Sequence, residues 1–195
     1  MLDVYKVQID DINLGINGIA LVKFPAVEKD WLCFNKDNER LSFSVINEEK
    51  HELLGVIARC DYPIIRNSDG YKYFIVFDKE TIEKMTEKWL RDGNFNSINT
   101  EHTKNYVDGV FLKEVFIKNI ENGINPQGFE DISNYSLFAK YKVENSEIWE
   151  QVKNGTYNGF SLEGLFNLKE EVNTVTEEDE LFEEILNKIN NILKQ

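Results

Sequence analysis

Along most of this chain apolar residues recur at every second position, and in only a few stretches at helical spacing. Alternation predicts strands at residues 3–8, 18–24, 53–59, 71–77, 95–103, 108–118, 137–143 and 160–168. It also predicts a pair within 30–46, split by the polar turn Asn35-Lys-Asp-Asn-Glu-Arg40. A helix is predicted after Asp78, a plausible N-cap, with Ile82, Met85, Trp89 and Leu90 on one side and Gly93 closing it. A second, shorter one covers 147–153, with Ile148, Trp149 and Val152 inward and Gly155 as its C-cap. Residues 119–136 are polar and rich in breakers, so they read as loop. From 169 to 180 the chain is an acidic linker with little to bury. Residues 181–195 return to helical spacing, with Leu181, Phe182, Ile185, Leu186, Ile189, Ile192 and Leu193 in one stripe. The expected organisation is a strand-rich α+β domain over 1–168, a linker over 169–180 and an amphipathic helix over 181–195.

Composition narrows the function classes. The 195 residues are 42% hydrophobic, enough for one sizeable core. Twenty-two basic residues face 35 acidic ones, for a net charge of −13. Nucleic-acid binding needs Lys and Arg clusters against phosphates, and none stands out here; an acidic membrane surface is equally unsuited. Proteins are the expected partners. No apolar run approaches the roughly 20 residues of a membrane span, and the first residues lack the pattern of a signal peptide. Cys33 and Cys60, far apart and in no CxxC pair, read as reduced thiols of an intracellular protein.

Candidate chemistry gathers on the strand at 160–168. Phe160, Leu162, Phe166 and Leu168 point one way, so Ser161, Glu163 and Asn167 share the other face. Taken alone, a serine there reads as a solvated residue beside a hairpin turn. A serine hydroxyl becomes a nucleophile when a base within hydrogen-bond reach takes its proton, and that base needs a third group to fix its tautomer. The chain has two histidines. His51 sits in a charged stretch and is expected to be solvated. His102 ends the strand at 95–103, on the face of Ile98 and Thr100, and is the better base. Glu114 falls in the row Val110, Leu112, Glu114, Phe116, where a carboxylate is costly unless paired; alternatively that row is exposed and Phe111, Val115 and Ile117 are buried.

An ordered set of segments resembles the prohead serine proteases of tailed bacteriophages, the XkdF-like group that matures capsids. The set begins with Leu21-Val-Lys-Phe-Pro-Ala-Val27, Tyr62-Pro-Ile-Ile-Arg66 and Tyr71-Lys-Tyr-Phe-Ile-Val-Phe77. It continues with Asn99-Thr-Glu-His102, Val107-Asp-Gly-Val110, Leu112-Lys-Glu-Val-Phe-Ile117, Trp149 and Gly159-Phe-Ser-Leu-Glu-Gly164. Together they span most of 15–168. The resemblance implies a mainly antiparallel β-barrel with a few packed helices, similar to herpesvirus assemblin proteases. It implies His102 as base and Ser161 as nucleophile, without metal or organic cofactor. Glu114 and Glu163 both match acidic positions of the family. The sequence nearness of Glu163 to its own nucleophile inclines the third role to Glu114, although Val115-Phe116 departs from the family's Glu-Ser-Trp-like strand. The implied setting is the procapsid in the host cytoplasm, with scaffold and major capsid protein as partners, self-processing, and the 181–195 helix as an oligomerisation or docking arm. The alternatives are an inactive assembly protein of the same fold and an unrelated acidic adaptor. Proximity of His102 to Ser161 separates them.

Overall fold

A computed structural model describes residues 3–9, 14–23, 44–68, 70–103 and 106–171. Most of the strand pair expected within 30–46, Cys33, most of the acidic linker and the 181–195 helix lie outside the described residues. The strands are β1 (Val4–Gln8), β2 (Gly15–Val22), β3 (Ser44–Asn47), β4 (Glu52–Ala58), β5 (Ile64–Ser68), where no strand was expected, and β6 (Tyr71–Val76). After these come β7 (Ile98–Thr100), β8 (Val110–Ile117), β9 (Leu137–Val143), β10 (Gly159–Leu165) and β11 (Asn167–Glu171). The helices are α1 (Lys79–Asp92) and α2 (Ser146–Lys153). The chain is therefore mostly β with two α-helices among the described residues.

The α+β class stands, and among the described residues the expected β-barrel is not closed. Among the described residues the strands form three open sheets, in the orders β11-β1-β6-β5, β10-β2-β7 and β3-β4-β9-β8. Closure requires a sheet whose last strand returns to its first with a consistent stagger. Here the run expected as one strand at 160–168 breaks at Phe166. Its first half pairs antiparallel with β2, while its second half, β11, crosses to another sheet and pairs with β1. Glycine makes that corner possible. A Cβ on Gly164 would collide with the Gly15 carbonyl oxygen and the Phe166 ring. Two further pairings, β1 with β6 and β2 with β7, are parallel. β11 also takes in residues 169–171, the start of the expected linker.

The helices follow their caps. Asp78 accepts the Thr81 N–H at 2.7 Å to start α1, and Gly93, at φ 78°, ends it. Ile82, Met85 and Trp89 are buried where α1 packs on β2, whereas Leu90 turns outward. Asn145 caps α2 by accepting from Glu147 and Ile148 N–H, and Ile148, Trp149 and Val152 enter the core. Asn154 holds the C-cap, one residue before the expected Gly155. His51 is not a solvated residue. Its ring stacks on Trp149 at 4.3 Å and its Nδ1 lies 3.2 Å from the Val143 carbonyl. The loop at 119–136 is organised by Lys118, which is fully buried and donates to the carbonyls of Phe129, Glu130 and Ile132 at 2.9, 3.0 and 2.7 Å.

Candidate active site

The site is built on the small sheet β10-β2-β7. Ser161 of β10 lies opposite Ala20 of β2, which lies opposite Asn99 of β7. One row along, Glu163 lies opposite Gly18. Neighbours across a sheet share a face, so Ser161 and Glu163 stand on the face of Asn99, about 7 Å apart along their strand. β7 stops at Thr100 because Glu101 and His102 both take left-handed backbone, at φ 51° and 57°. Two successive non-glycine residues in that region cost roughly 1–2 kcal/mol each. The turn is held by Glu101 N–H donating to the Leu21 carbonyl and Thr103 N–H to that of Thr100, both at 3.0 Å. Lys23 N–H also donates to the Glu101 carboxylate at 2.7 Å. The expectation that His102 continues the strand face of Ile98 and Thr100 is corrected. The left-handed turn brings its ring to Glu163 instead.

His102 Nδ1 lies 2.8 Å from Glu163 Oε1, with the two side chains 35% and 28% exposed. An ionised carboxylate only accepts, so Nδ1 carries the proton in this contact, and in the neutral ring Nε2 keeps its lone pair. The other carboxylate oxygen, Oε2, accepts from Asn99 Nδ2, also at 2.8 Å. Gly18 makes room for this. A Cβ there would sit 2.9 Å from the Ser97 carbonyl and 3.3 Å from Glu163 Oε2. Asn99 is 1% exposed, and its Oδ1 has no hydrogen-bond partner among the described residues. A buried acceptor left so costs about 1–3 kcal/mol.

Of the four residues expected at the site, the structure joins His102 and Glu163 directly and sets Ser161 on the same face. No hydrogen bond links Ser161 to His102 among the described residues. Glu114 is elsewhere. It projects from β8, in a different sheet, and pairs with Lys140 at 2.6 Å. Its apolar row was a false signal, because Glu114 is about half exposed. Cys60, the other nucleophile type among the described residues, is buried, and burial followed by Asp61 pushes its thiol up to about 12, far from thiolate reactivity. Asn99 and Gly18 were not singled out by strand patterns; Asn99 carried one signal, its place in Asn99-Thr-Glu-His102.

Beside the His102–Glu163 pair opens a cavity of about 510 Å³. Val7, Ile75, Phe77 and Leu162 give it apolar walls, and Arg66 and Tyr73 line it with polar groups. That volume suits a side chain or short peptide. Among the described residues no cluster of His, Cys, Asp and Glu is arranged to hold a metal ion, and no helix is long and apolar enough to cross a membrane.

The family described as Putative phage serine protease XkdF matches residues 43–170, more than half of the chain. The chain belongs to that family. Its name carries serine protease chemistry, a hydrolase activity, and a phage origin. The matched span holds His102, Ser161 and Glu163, whereas Gly18 and all of β2 lie before it. No curated protein and no solved structure matches the chain.

Proposed function

We propose that this chain is a serine endopeptidase of phage capsid maturation, acting by acyl transfer with Ser161 as nucleophile, His102 as general base and Glu163 as the orienting carboxylate. The observation that carries the reading is the 2.8 Å contact of His102 Nδ1 with a carboxylate on the serine's own strand and face. Glu163 holds the proton on Nδ1 and leaves Nε2 free as a base. As Ser161 Oγ comes within about 2.6–3.2 Å of Nε2 in the substrate complex, its proton passes to the imidazole and Oγ bonds to the scissile carbonyl carbon. The imidazolium is stabilised by Glu163 and gives its proton to the leaving amine. Water then enters by the same base and releases the acyl group from Ser161. Backbone N–H groups near the Ser161 turn would hold the oxyanion.

In this reading the substrates are scaffold or capsid-protein segments, including the chain's own, cut inside the procapsid in the host cytoplasm without metal or organic cofactor. Phage family membership and the net charge of −13, suited to protein partners, support that setting. Two measurements test it. A fluorophosphonate probe is expected to add its mass at Ser161, and the label should vanish in Ser161→Ala and His102→Ala. Co-expression with the neighbouring capsid protein and scaffold, read by intact mass, is expected to give fragments with wild type alone. Identical masses with wild type and Ser161→Ala, together with an unlabelled Ser161, would leave an inactive assembly protein.

A further inference from the structure

Glu163 has a flexible side chain, yet both its oxygens are taken, one by His102 and one by Asn99. The two partners arrive from one short stretch, the end of β7 and the turn after it. The Asn99 amide can be oriented only one way, because a carboxylate accepts and does not donate, so the NH2 group faces Glu163. That orientation leaves Oδ1 buried without a partner among the described residues, in a residue 1% exposed beside the core residue Ile98. A leucine has nearly the same branched outline and would leave no orphaned acceptor. The amide is therefore a poor choice for stability here, and its use lies in the direction it gives the Glu163 carboxylate.

We infer that Asn99 is the positioning residue of this site: it clamps Oε2 so that Oε1 stays on His102 Nδ1, and so fixes the tautomer that leaves Nε2 free. The inference rests on the reading of Glu163 as the orienting carboxylate. Asn99 acts through Glu163 and touches neither substrate nor the reacting atoms. Among the described residues, the charged or titratable groups near His102 include Glu101 in its own turn, which accepts from Lys23 N–H, and Arg66 and Tyr73 on the wall of the shared cavity.

The tautomer is visible without any activity assay. With only two histidines in the chain, long-range proton–nitrogen correlation spectra assign both rings, and His51, stacked on Trp149, is an internal reference. Wild type at neutral pH is expected to give a downfield, slowly exchanging Nδ1–H signal from His102 that Glu163→Gln weakens or removes. Asn99→Leu is expected to lose that signal as fully as Glu163→Gln, with His51 unchanged and a melting temperature no lower than wild type. Asn99→Ala, smaller and free of added bulk against Glu163, should lose it too. In the processing assay Asn99→Leu should fall to the level of Glu163→Gln, and the double variant should fall no further. Survival of the signal in both Asn99 variants, with its loss in Glu163→Gln, would overturn the inference and leave Glu163 as orienter. Absence of the signal in folded wild type would overturn both readings together. A melting temperature that drops in Asn99→Leu while the signal remains would make Asn99 structural.

Discussion

Lys118, at the end of β8, and Asn99, in β7, are both buried polar side chains with 1% exposure or less, yet their hydrogen bonds differ in kind. Lys118 has three N–H donors and three backbone carbonyls to receive them, all within 3.0 Å, drawn from one loop. Its bonding capacity is used in full, and what it secures is the path of residues 129–132. Asn99 uses one donor on one carboxylate, and its acceptor has no partner among the described residues. Complete satisfaction marks a group that builds the fold. Incomplete satisfaction beside two left-handed residues, one of them the histidine, marks a place where stability is given up for geometry. The separation of these two roles is open to test.

The largest effect is expected on the reacting group. Ser161→Ala should lower kcat by about a millionfold, and Glu163→Gln by about ten-thousandfold, as loss of a nucleophile or its orienting carboxylate does elsewhere. Neither should disturb melting much, because both side chains stand on a partly exposed face away from the main core. Glu114→Gln is the control. Its partner is Lys140 and it is about half exposed, so activity should stay within about twofold and stability within about 1 kcal/mol. A crippled Glu114→Gln beside an active Glu163→Gln would reverse the assignment of the two carboxylates.

Lys118→Met should give the opposite profile. It removes the donor from three loop carbonyls, one buried and two partly buried, and with hydrogen bonds to a charged group at about 1.5–3 kcal/mol each, the net loss should reach about 3 kcal/mol in denaturant unfolding. Hydrogen exchange should rise first at residues 119–136, with the His102 signal intact until the protein unfolds. Loss of that signal in a folded Lys118→Met protein would mean the two clusters are coupled. Gly18→Ala comes next and should strike both properties. Its methyl must displace the Ser97 carbonyl, which accepts the Ile19 N–H at 3.0 Å, and it also crowds the Glu163 carboxylate. Overpacking of this kind costs about 1–3 kcal/mol, and activity should fall more than that stability loss explains.

The two regions also differ in how far the sequence reveals them. Caps locate α1 closely and alternation locates most strands, since each depends on neighbours within a few residues, as at Asp78 and Gly93, although β5 was missed and β7 covers only three of the residues expected over 95–103. Ser161 and Glu163 share a face by the same local rule. What alternation cannot give is the long-range arrangement. The corner at Gly164 depends on Gly15 and Phe166 meeting in space, so two strands in different sheets read as one continuous strand. His102 is placed on the wrong face because nothing in Glu101-His102 announces two left-handed residues. The preference for Glu114 has the same origin. Nearness of Glu163 to Ser161 in sequence looks unfavourable until the turn after β7 carries the histidine across to it. Lys118, ending an apolar strand, gives no hint of its three carbonyls either.

The smallest effect tests whether a local cap is independent of both clusters. Asp78 starts α1, receives the Thr81 N–H and pairs with Lys6 at 3.0 Å. Partial burial alone would raise its carboxyl, but the Thr81 hydrogen bonds and Lys6 together hold it below its ordinary value of 3.8. A carboxyl lowered by folding stabilises the fold above its unfolded value and loses that contribution as pH falls through the folded one. The contribution should therefore be whole at pH 7 and fade only below about 3.8. Asp78→Ala should cost about 1 kcal/mol at pH 7, and the cost should shrink in thermal melts towards pH 3. Asp78→Asn keeps an N-cap acceptor and loses only the ion pair, so it should cost less than Asp78→Ala, with most of its pH dependence gone. Equal costs for the two at pH 7 would make the Lys6 pair, and not the cap, the source of stability at this helix start.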